Sequence, residues 1–297
     1  MTDVGVVVLL FNRWPEARAV LDAVLRQTRQ PSSVVVVDNA STLDPSADIR
    51  ADYPDVTVHR AQCNRGYAGG MNLAVEAMAA HRPDAYLFLT HDCLLADTAL
   101  HELSEALESD SALGVVGPLL GYASRPTQVF SAGGQINRKS WRIRHDRTPG
   151  NMDEWPSSGV HRVTWLDGSC MLVRRRAFEQ VGGFDERYFL YFEDVDLCLR
   201  ARREGFEVAC AVAARAWQEP SENLTRGLRT RNQLLMMRKN GAPAGALALE
   251  LARGAWHALP PDRARRRMGF IEWVRWAGPG MWMSATRRHG TGHSSRG

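Results

Sequence analysis

The chain alternates short apolar runs with amphipathic stretches. Val4–Leu10 is a continuous apolar, β-branched run, the pattern of a strand buried on both faces. Asn12-Arg13-Trp14-Pro15 then leads into a helical pattern over Ala17–Gln27, with Pro15 near the first turn. Val34–Val37 predicts a second buried strand, ending at Asp38-Asn39-Ala40-Ser41, and Val56–Val58 a short third one. The segment Asn64–Gly70 is rich in glycine and precedes a helix expected over Asn72–Ala80. Ala85–Leu89 reads as a fourth strand ending at Thr90-His91-Asp92, Thr98–Glu108 as a helix and Leu113–Val116 as a fifth strand. This alternation predicts right-handed βαβ units and an α/β domain with a mostly parallel sheet. Asn12, Asp38, Asn39 and Asp92 each fall just after a strand end. In an open α/β sheet the ligand crevice lies outside those carboxyl ends, so the order of elements alone brings these side chains to one cleft.

Beyond Pro118 the pattern changes. Gln128–Asn137 and Val160–Leu166 read as short strands around a Gly-, Pro- and Ser-rich stretch, Thr148–Gly159, expected to be a mobile loop. Gly168–Val173 reads as a strand, Arg175–Val181 as a short helix stopped by Gly182-Gly183, and Glu193–Glu204 as a helix stopped by Gly205. Thr225–Lys239 is a further helical pattern, and from Ala244 the chain reads as helical again, fraying over Thr286–Gly297.

Composition narrows the class. The 297 residues are 44% hydrophobic and 24% charged, ordinary for a globular chain and unlike a disordered or collagen-like one. The net charge of +4 is too small to imply a nucleic-acid partner. Five cysteines without a C-x-x-C pair point away from a disulfide framework or zinc knuckle and towards a reducing compartment. The start of the chain carries no basic n-region or cleavage site, and the most apolar late stretch, Ala242–Leu259, is interrupted by Glu250 and Arg253. A cytoplasmic protein without a membrane span is expected.

Four constellations could carry chemistry. Asp38-Asn39-Ala40-Ser41 offers an aspartate to a base N–H or ribose hydroxyl, or else closes a βα loop as an Asx-turn. The glycines of Arg65–Gly70 permit close backbone approach at a helix start, but match neither the dinucleotide nor the P-loop fingerprint. Asp92, with His91 beside it, could place an oxygen ligand on Mg²⁺ or Mn²⁺. The strongest signal is Glu193-Asp194-Val195-Asp196 behind the aromatic run Tyr188–Phe192, preceded by Trp165-Leu166-Asp167-Gly168 and Gly183-Phe184-Asp185-Glu186. Aromatic neighbours desolvate a carboxylate and raise its pKa, which suits a general base. Asp196 and Arg200 stand four apart on a helix and read as a structural pair.

Taken in order, Leu10-Phe11-Asn12-Arg13, Val37–Ser41, Asn64–Asn72, Asp92, Gly183–Glu186 and Phe192–Arg200 resemble family 2 glycosyltransferases, in particular their rhamnosyltransferase-like branch. The similarity covers roughly Val4–Asn240, where Arg231-Asn232 and Lys239-Asn240 also resemble a segment of that branch. It implies a GT-A fold, a nucleotide-diphosphate-sugar donor (dTDP-rhamnose or a UDP-sugar) and inversion at the anomeric carbon. It further implies a catalytic domain over residues 1–240, with a nucleotide-binding part to 117 and an acceptor-side part after it, then a helical extension over 241–297. Carried over by position, Phe11, Asn12, Arg13, Asp38, Asn39, Arg65, Gly66, Asn72 and His91 would surround the nucleotide sugar. Asp92 would hold the metal on the diphosphate, and Asp194, next to Glu193, would be the catalytic base.

Two positions depart from the family pattern. Thr90 replaces the first acid of the metal motif, and Gln218 stands where the family often has a metal-ligating histidine. Metal dependence is therefore an open expectation, with Glu219 or His91 as substitutes or arginines screening the diphosphate instead. The same departures define the rival reading, a nucleotide-sugar-binding protein that has lost catalysis. The acceptor, a glycan, a lipid-linked sugar or a small molecule, would lie against Gly121–Val163. In the tail, Arg263–Arg267 precede Phe270, Trp273 and Trp276. That pattern fits an amphipathic helix packed on the domain or on a second subunit, or one lying on an anionic membrane face.

Overall fold

The computed structural model describes residues 1–137, 139–220 and 226–258. In chain order the elements are β1 (Val4–Leu10), α1 (Trp14–Leu25), β2 (Ser33–Asp38), α2 (Ser46–Asp52), β3 (Thr57–Arg60), α3 (Gly66–Ala77), β4 (Ala85–Thr90), β5 (Leu94–Leu95), α4 (Ala99–Ser109) and β6 (Leu113–Tyr122). There follow β7 (Arg125–Ser131), β8 (Gly134–Ile136), β9 (Ile143–His145), β10 (Val160–Arg162), β11 (Cys170–Arg174), α5 (Arg175–Val181), α6 (Glu193–Arg203) and β12 (Glu207–Gln218). The main sheet runs β10-β12-β6-β11-β4-β1-β2-β3, with β5 added to β12 and β7 to β6. β3, β2, β1 and β4 pair in parallel. β11 enters antiparallel between β4 and β6, and β12 runs parallel to β6.

Strand alternation sorts the core into two layers. Val4, Val6, Val8 and Leu10 of β1 share one core with Leu87 and Leu89 of β4, Val20, Leu21 and Val24 of α1, and Leu100, Leu103 and Leu107 of α4. On the other face Phe88 of β4 packs against Phe178 of α5 and Phe184, with ring centroids 5.3 and 5.1 Å apart. Tyr67 of α3 meets Phe184 edge-on at 5.4 Å. These aromatic contacts anchor the Gly182–Phe192 loop, through Phe184, to β4, α3 and α5.

Several elements depart from the sequence expectation. α3 begins at Gly66, six residues before the expected Asn72. β6 runs on past Pro118 to Tyr122, because Pro118 lies opposite Ala211, where β12 breaks register and no donor from proline is needed. The expected strand Gln128–Asn137 is two strands, β7 and β8, the latter a hairpin with β9. The stretch Thr148–Gly159 is tied down. Met152 and Trp155 are buried, the Trp155 indole donates to the Pro149 carbonyl at 2.8 Å, and Asn151 bridges to Gln128.

The contacts divide the chain into two compact units, Met1–Glu222 and Asn223–Gly297, so the helix over 226–239 groups with the second unit and not with the sheet domain. That unit's described part is α7 (Arg226–Lys239) and α8 (Ala244–Ala258), which pack on each other. Among the described residues no helix is long and apolar enough to cross a membrane. The basic, aromatic segment from Arg263, with the membrane and dimer expectations attached to it, lies outside the described residues.

Candidate active site

The loops after β1, β2 and β3 knit into one rim. Asp38, the last residue of β2, is wholly buried. One carboxylate oxygen accepts from the Ser41 backbone N–H at 3.0 Å and from its hydroxyl. The other accepts from Arg60 at the end of β3, whose second guanidinium nitrogen reaches the Ser41 carbonyl at 2.8 Å. The turn role of Asp38-Asn39-Ala40-Ser41 is thus realised, and Arg60 is the partly exposed charge of the pair. Asn12, with φ of 58°, locks the β1 loop to it. Its backbone N–H donates to Ser41 Oγ at 2.8 Å and its side-chain oxygen accepts from Thr42 N at 2.7 Å. Phe11 is exposed beside it, and Arg13 points outward to Glu16 at 2.9 Å.

Asn39 is buried and acts as a clasp between β2 and α3. Its amide donates to Asn64 Oδ1 at 3.0 Å and the Gly66 carbonyl at 2.9 Å, while its oxygen accepts from Arg65 N at 2.9 Å. Asn64 in turn accepts from Gly66 N at 2.8 Å. These side chains satisfy the first-turn amides that a helix leaves open, which is why the glycine-rich run is helix and not loop. The glycines serve close packing: a Cβ on Gly70 would lie 2.4 Å from a Leu9 methyl. Arg65 reaches Glu186 at 3.0 Å. Asn72 clasps the Phe184 backbone, donating to its carbonyl and accepting from its N–H, each at 2.9 Å. Asn39 and Asn72 therefore hold the walls of the site with their side-chain groups.

At the centre, segment 167–169 joins the ends of β4, α3 and α6. Thr90 N donates to the Ser169 carbonyl at 3.0 Å, the Tyr67 hydroxyl donates to the Gly168 carbonyl, and Gly168 N donates to Asp194 Oδ2 at 2.9 Å. The other Asp194 oxygen accepts from Val195 N at 2.7 Å. Phe189, Tyr191 and Phe192 all have positive φ, at 63°, 73° and 72°, a conformation costly for large side chains. Such strain is held where the surroundings over-determine it, as at active sites. Here it delivers Glu193 and Asp194 at the first turn of α6. Asp196 is buried beneath, bound by the Tyr188 hydroxyl at 3.0 Å and Arg200 at 2.6 Å, the structural pair its spacing predicts.

The electrostatics of this cluster are those of crowded carboxylates. Burial, then the neighbouring Asp167 charge, push Asp194 up to about 6. Burial also pushes Asp167 up to about 6, against the pull of Ser131 and Arg147. Burial and then Asp194 drive Glu193 well above the carboxylate range, and one of its oxygens is buried without a hydrogen-bond partner. Both adjacent acids are thus pushed towards their neutral forms, Glu193 by burial and then by Asp194, and Asp194 by burial and then by Asp167. Arg60, Tyr67 and Asp167 join the site as residues the motif reading left without a role. The one available signal was for Asp167, an acid just before Gly168 at a strand start.

Asp92 is exposed and accepts from the Thr90 hydroxyl at 2.6 Å, so Thr90 orients the acid that follows it. Glu219 is turned aside, its carboxylate taken by Ser124 N. Gln218 ends β12 opposite Tyr122, and its neighbour Trp217 pairs with Leu94, just after Asp92. Among the described residues no group of three His, Cys, Asp or Glu is placed to hold a metal. The donor set fits a cation that brings its own phosphate ligands to one carboxylate, the usual arrangement for Mg²⁺, and not a preformed protein cage.

A strand order 3-2-1-4 with crossover helices, a buried acid at the end of β2, an exposed acid after β4 and a strained Glu-Asp helix start together define a glycosyltransferase of the GT-A fold. The family profile described as Glycosyltransferase like family 2 matches residues 2–234, and the chain belongs to that family, in its rhamnosyltransferase-like branch. It is 32% identical over 225 residues to an N-acetylglucosaminyl-diphospho-decaprenol L-rhamnosyltransferase of Mycobacterium tuberculosis, covering 69% of this chain and 73% of that one. It is 25% identical over 204 residues to the O-antigen chain rhamnosyltransferase WbaN of Salmonella anatum, covering 68% of this chain and 60% of that one. Among solved structures, GalNAc-T7 with UDP, GalNAc and Mn²⁺ superimposes with a TM-score of 0.67 at 14% identity, over 97% of this chain and 58% of that one. The mannosyltransferase PcManGT of Pyrobaculum calidifontis, with GDP-Man and Mn²⁺, gives 0.58 at 17% identity, over 94% and 78%. The chain is a glycosyltransferase.

Proposed function

We propose that this enzyme moves a sugar, from dTDP-rhamnose or a UDP-sugar, to a hydroxyl of a glycan acceptor with inversion at the anomeric carbon. The observation that carries the reading is Asp194, held by Gly168 N in the same knot of backbone bonds that fixes Thr90 and Asp92. The acceptor hydroxyl approaches Asp194, its oxygen attacks the anomeric carbon, its proton passes to the carboxylate, and the bond to the nucleoside diphosphate breaks on the opposite face. Burial disfavours a second charge, on Glu193, beside the incoming substrate. Mg²⁺ or Mn²⁺ on Asp92 would neutralise the leaving diphosphate. Asn12, Phe11 and the Arg60–Asp38 pair form the nucleoside rim. The names of the relatives support rhamnose as the sugar, and a lipid-linked diphosphate sugar as one acceptor class.

Calorimetric titration with uridine, thymidine and guanosine diphosphates, with Mn²⁺ and then with chelator, tests this directly. Tight binding of one nucleotide that weakens on chelation is expected. Equal affinity with chelator would remove Asp92 from the metal role, and no binding by folded protein would overturn the transferase reading. The pH profile is a second test. A base must be deprotonated to accept a proton, and Asp194 titrates at about 6, so kcat/KM should be flat above neutrality and fall about tenfold per pH unit below that value. A profile still flat at pH 5 would place the base elsewhere.

A further inference from the structure

At the ends of β2 and β3 the two members of one ion pair differ in what can reach them. Asp38 falls where the family resemblance puts a nucleoside contact, yet its side chain is sealed, with 0% exposed. Three donors already occupy its two oxygens: the Ser41 backbone N–H, the Ser41 hydroxyl and the Arg60 guanidinium. A base N–H would reach that carboxylate only by displacing one of them, and a buried charge that loses a partner is costly. Arg60 is the member of the pair that solvent reaches, with 34% of its side chain exposed.

Arg60 is also held in place. Its Nη1 binds Asp38 and stands 3.5 Å from Asp44, and its Nη2 donates to the Ser41 carbonyl at 2.8 Å. A guanidinium carries five N–H donors and no acceptor, so these bonds fix the fork and leave donors to spare. A side chain fixed in this way loses little rotamer freedom when a ligand binds.

Apolar surface adjoins the fork. Ser41, which Arg60 holds, is followed by Thr42, whose N–H donates to Asn12 Oδ1 at 2.7 Å. That bond brings the neighbours of its two residues, Leu43 at 84% exposed and Phe11 at 38%, to the same rim. Open apolar side chains beside a fixed donor suit a planar heterocycle, whose faces stack and whose edge hydrogen-bonds.

We propose that Arg60, and not Asp38, reads the nucleobase of the donor, by donating to the exocyclic carbonyl on its hydrogen-bonding edge. The ligand class is a nucleotide whose base carries a carbonyl there: uracil, thymine or guanine. Cytosine and adenine place an amino donor at that edge and would set donor against donor. The inference deepens the transferase reading and rests on it, with Asp38 as the buried anchor of Arg60.

Calorimetry of the full chain with uridine, 3-methyluridine and cytidine diphosphates, each with Mn²⁺, is the test. Wild-type protein should bind uridine diphosphate about thirtyfold tighter than cytidine diphosphate, the discrimination of one good base contact. Methylation at N3 removes the N–H that a carboxylate would read and leaves the carbonyl, so that probe should stay within about threefold of uridine diphosphate. Asp38→Asn should keep the preference, because the Ser41 carbonyl still holds Arg60. Asp38→Asn combined with Arg60→Met removes the donors without stranding a buried charge. In that double variant the uridine and cytidine diphosphates should bind within about threefold of each other. Equal binding of the two by wild type, loss of binding on N3 methylation, or a preference that survives in the double variant would each overturn the proposal. The wild-type probes decide it even where the double variant does not fold. A failure of the transferase reading itself would show separately, as no binding of any nucleotide by folded wild-type protein.

Discussion

Replacing Asp194 by Asn is expected to lower transfer by about 10³-fold while nucleotide binding changes by no more than about twofold. The substitution keeps the size and one acceptor oxygen but removes the carboxylate proposed to take the proton, whose affinity for it burial and Asp167 have raised. Asp194 does not contact Asn12, Ser41, Asp38 and Arg60, the proposed nucleoside rim, which are bonded to one another. Its link to the donor half is the Gly168–Ser169 backbone, which Thr90 and Tyr67 also hold. The loss should therefore fall on kcat, with the donor's affinity preserved. Asp167→Asn provides the contrast. It removes the neighbouring charge that raises Asp194, so the acid limb of the pH profile should move down. Full activity in Asp194→Asn would eliminate it as the base.

What the sequence disclosed follows the physics of each segment. β1, β2 and β4 were legible because strands buried on both faces are unbroken apolar runs, and the chemistry at their ends follows from topology. The start of α3 was not, since Gly66, Gly69 and Gly70 read as a loop. What makes them helix is the pair Asn39 and Asn64, one of them on a different element, and local pattern does not contain that bond. Pro118 likewise reads as a strand end, and only the register break opposite it shows why the strand continues. At the candidate site, the aromatic run before Glu193 and Asp194 made their burial legible. The role of Asp167 was not legible, because its effect on Asp194 is electrostatic and arises only when β11 is threaded between β4 and β6. Asp38 was visible as an acid after a strand, yet its partner Arg60 lies one strand away, and of the two only Arg60 is exposed to solvent.

Gly66→Ala should be the most damaging single methyl in the domain, lowering stability by about 3 kcal/mol or more and removing activity in whatever folds. Gly66 has φ of 69°, and a Cβ there would lie 2.1 Å from the Phe189 carbonyl oxygen and 2.6 Å from its ring. That carbonyl is the acceptor for Tyr67 N at 2.6 Å, so the methyl displaces the group that fixes the second residue of α3. Phe189 cannot retreat without disturbing Tyr191 and Phe192, which share its positive φ and set the first turn of α6, where Asp194 begins. One contact thus joins α3 to the strained loop that precedes Glu193 and Asp194. Gly182→Ala separates the two costs. Its φ is 74° and nothing lies within 4 Å of an added Cβ, so it should lose only about 1 kcal/mol of backbone preference and keep activity. Thermal melts of both variants beside wild type decide the matter: equal shifts would mean that the Phe189 contact carries no weight, whereas a loss several-fold larger at Gly66 locates the coupling between the two halves of the site in that single approach.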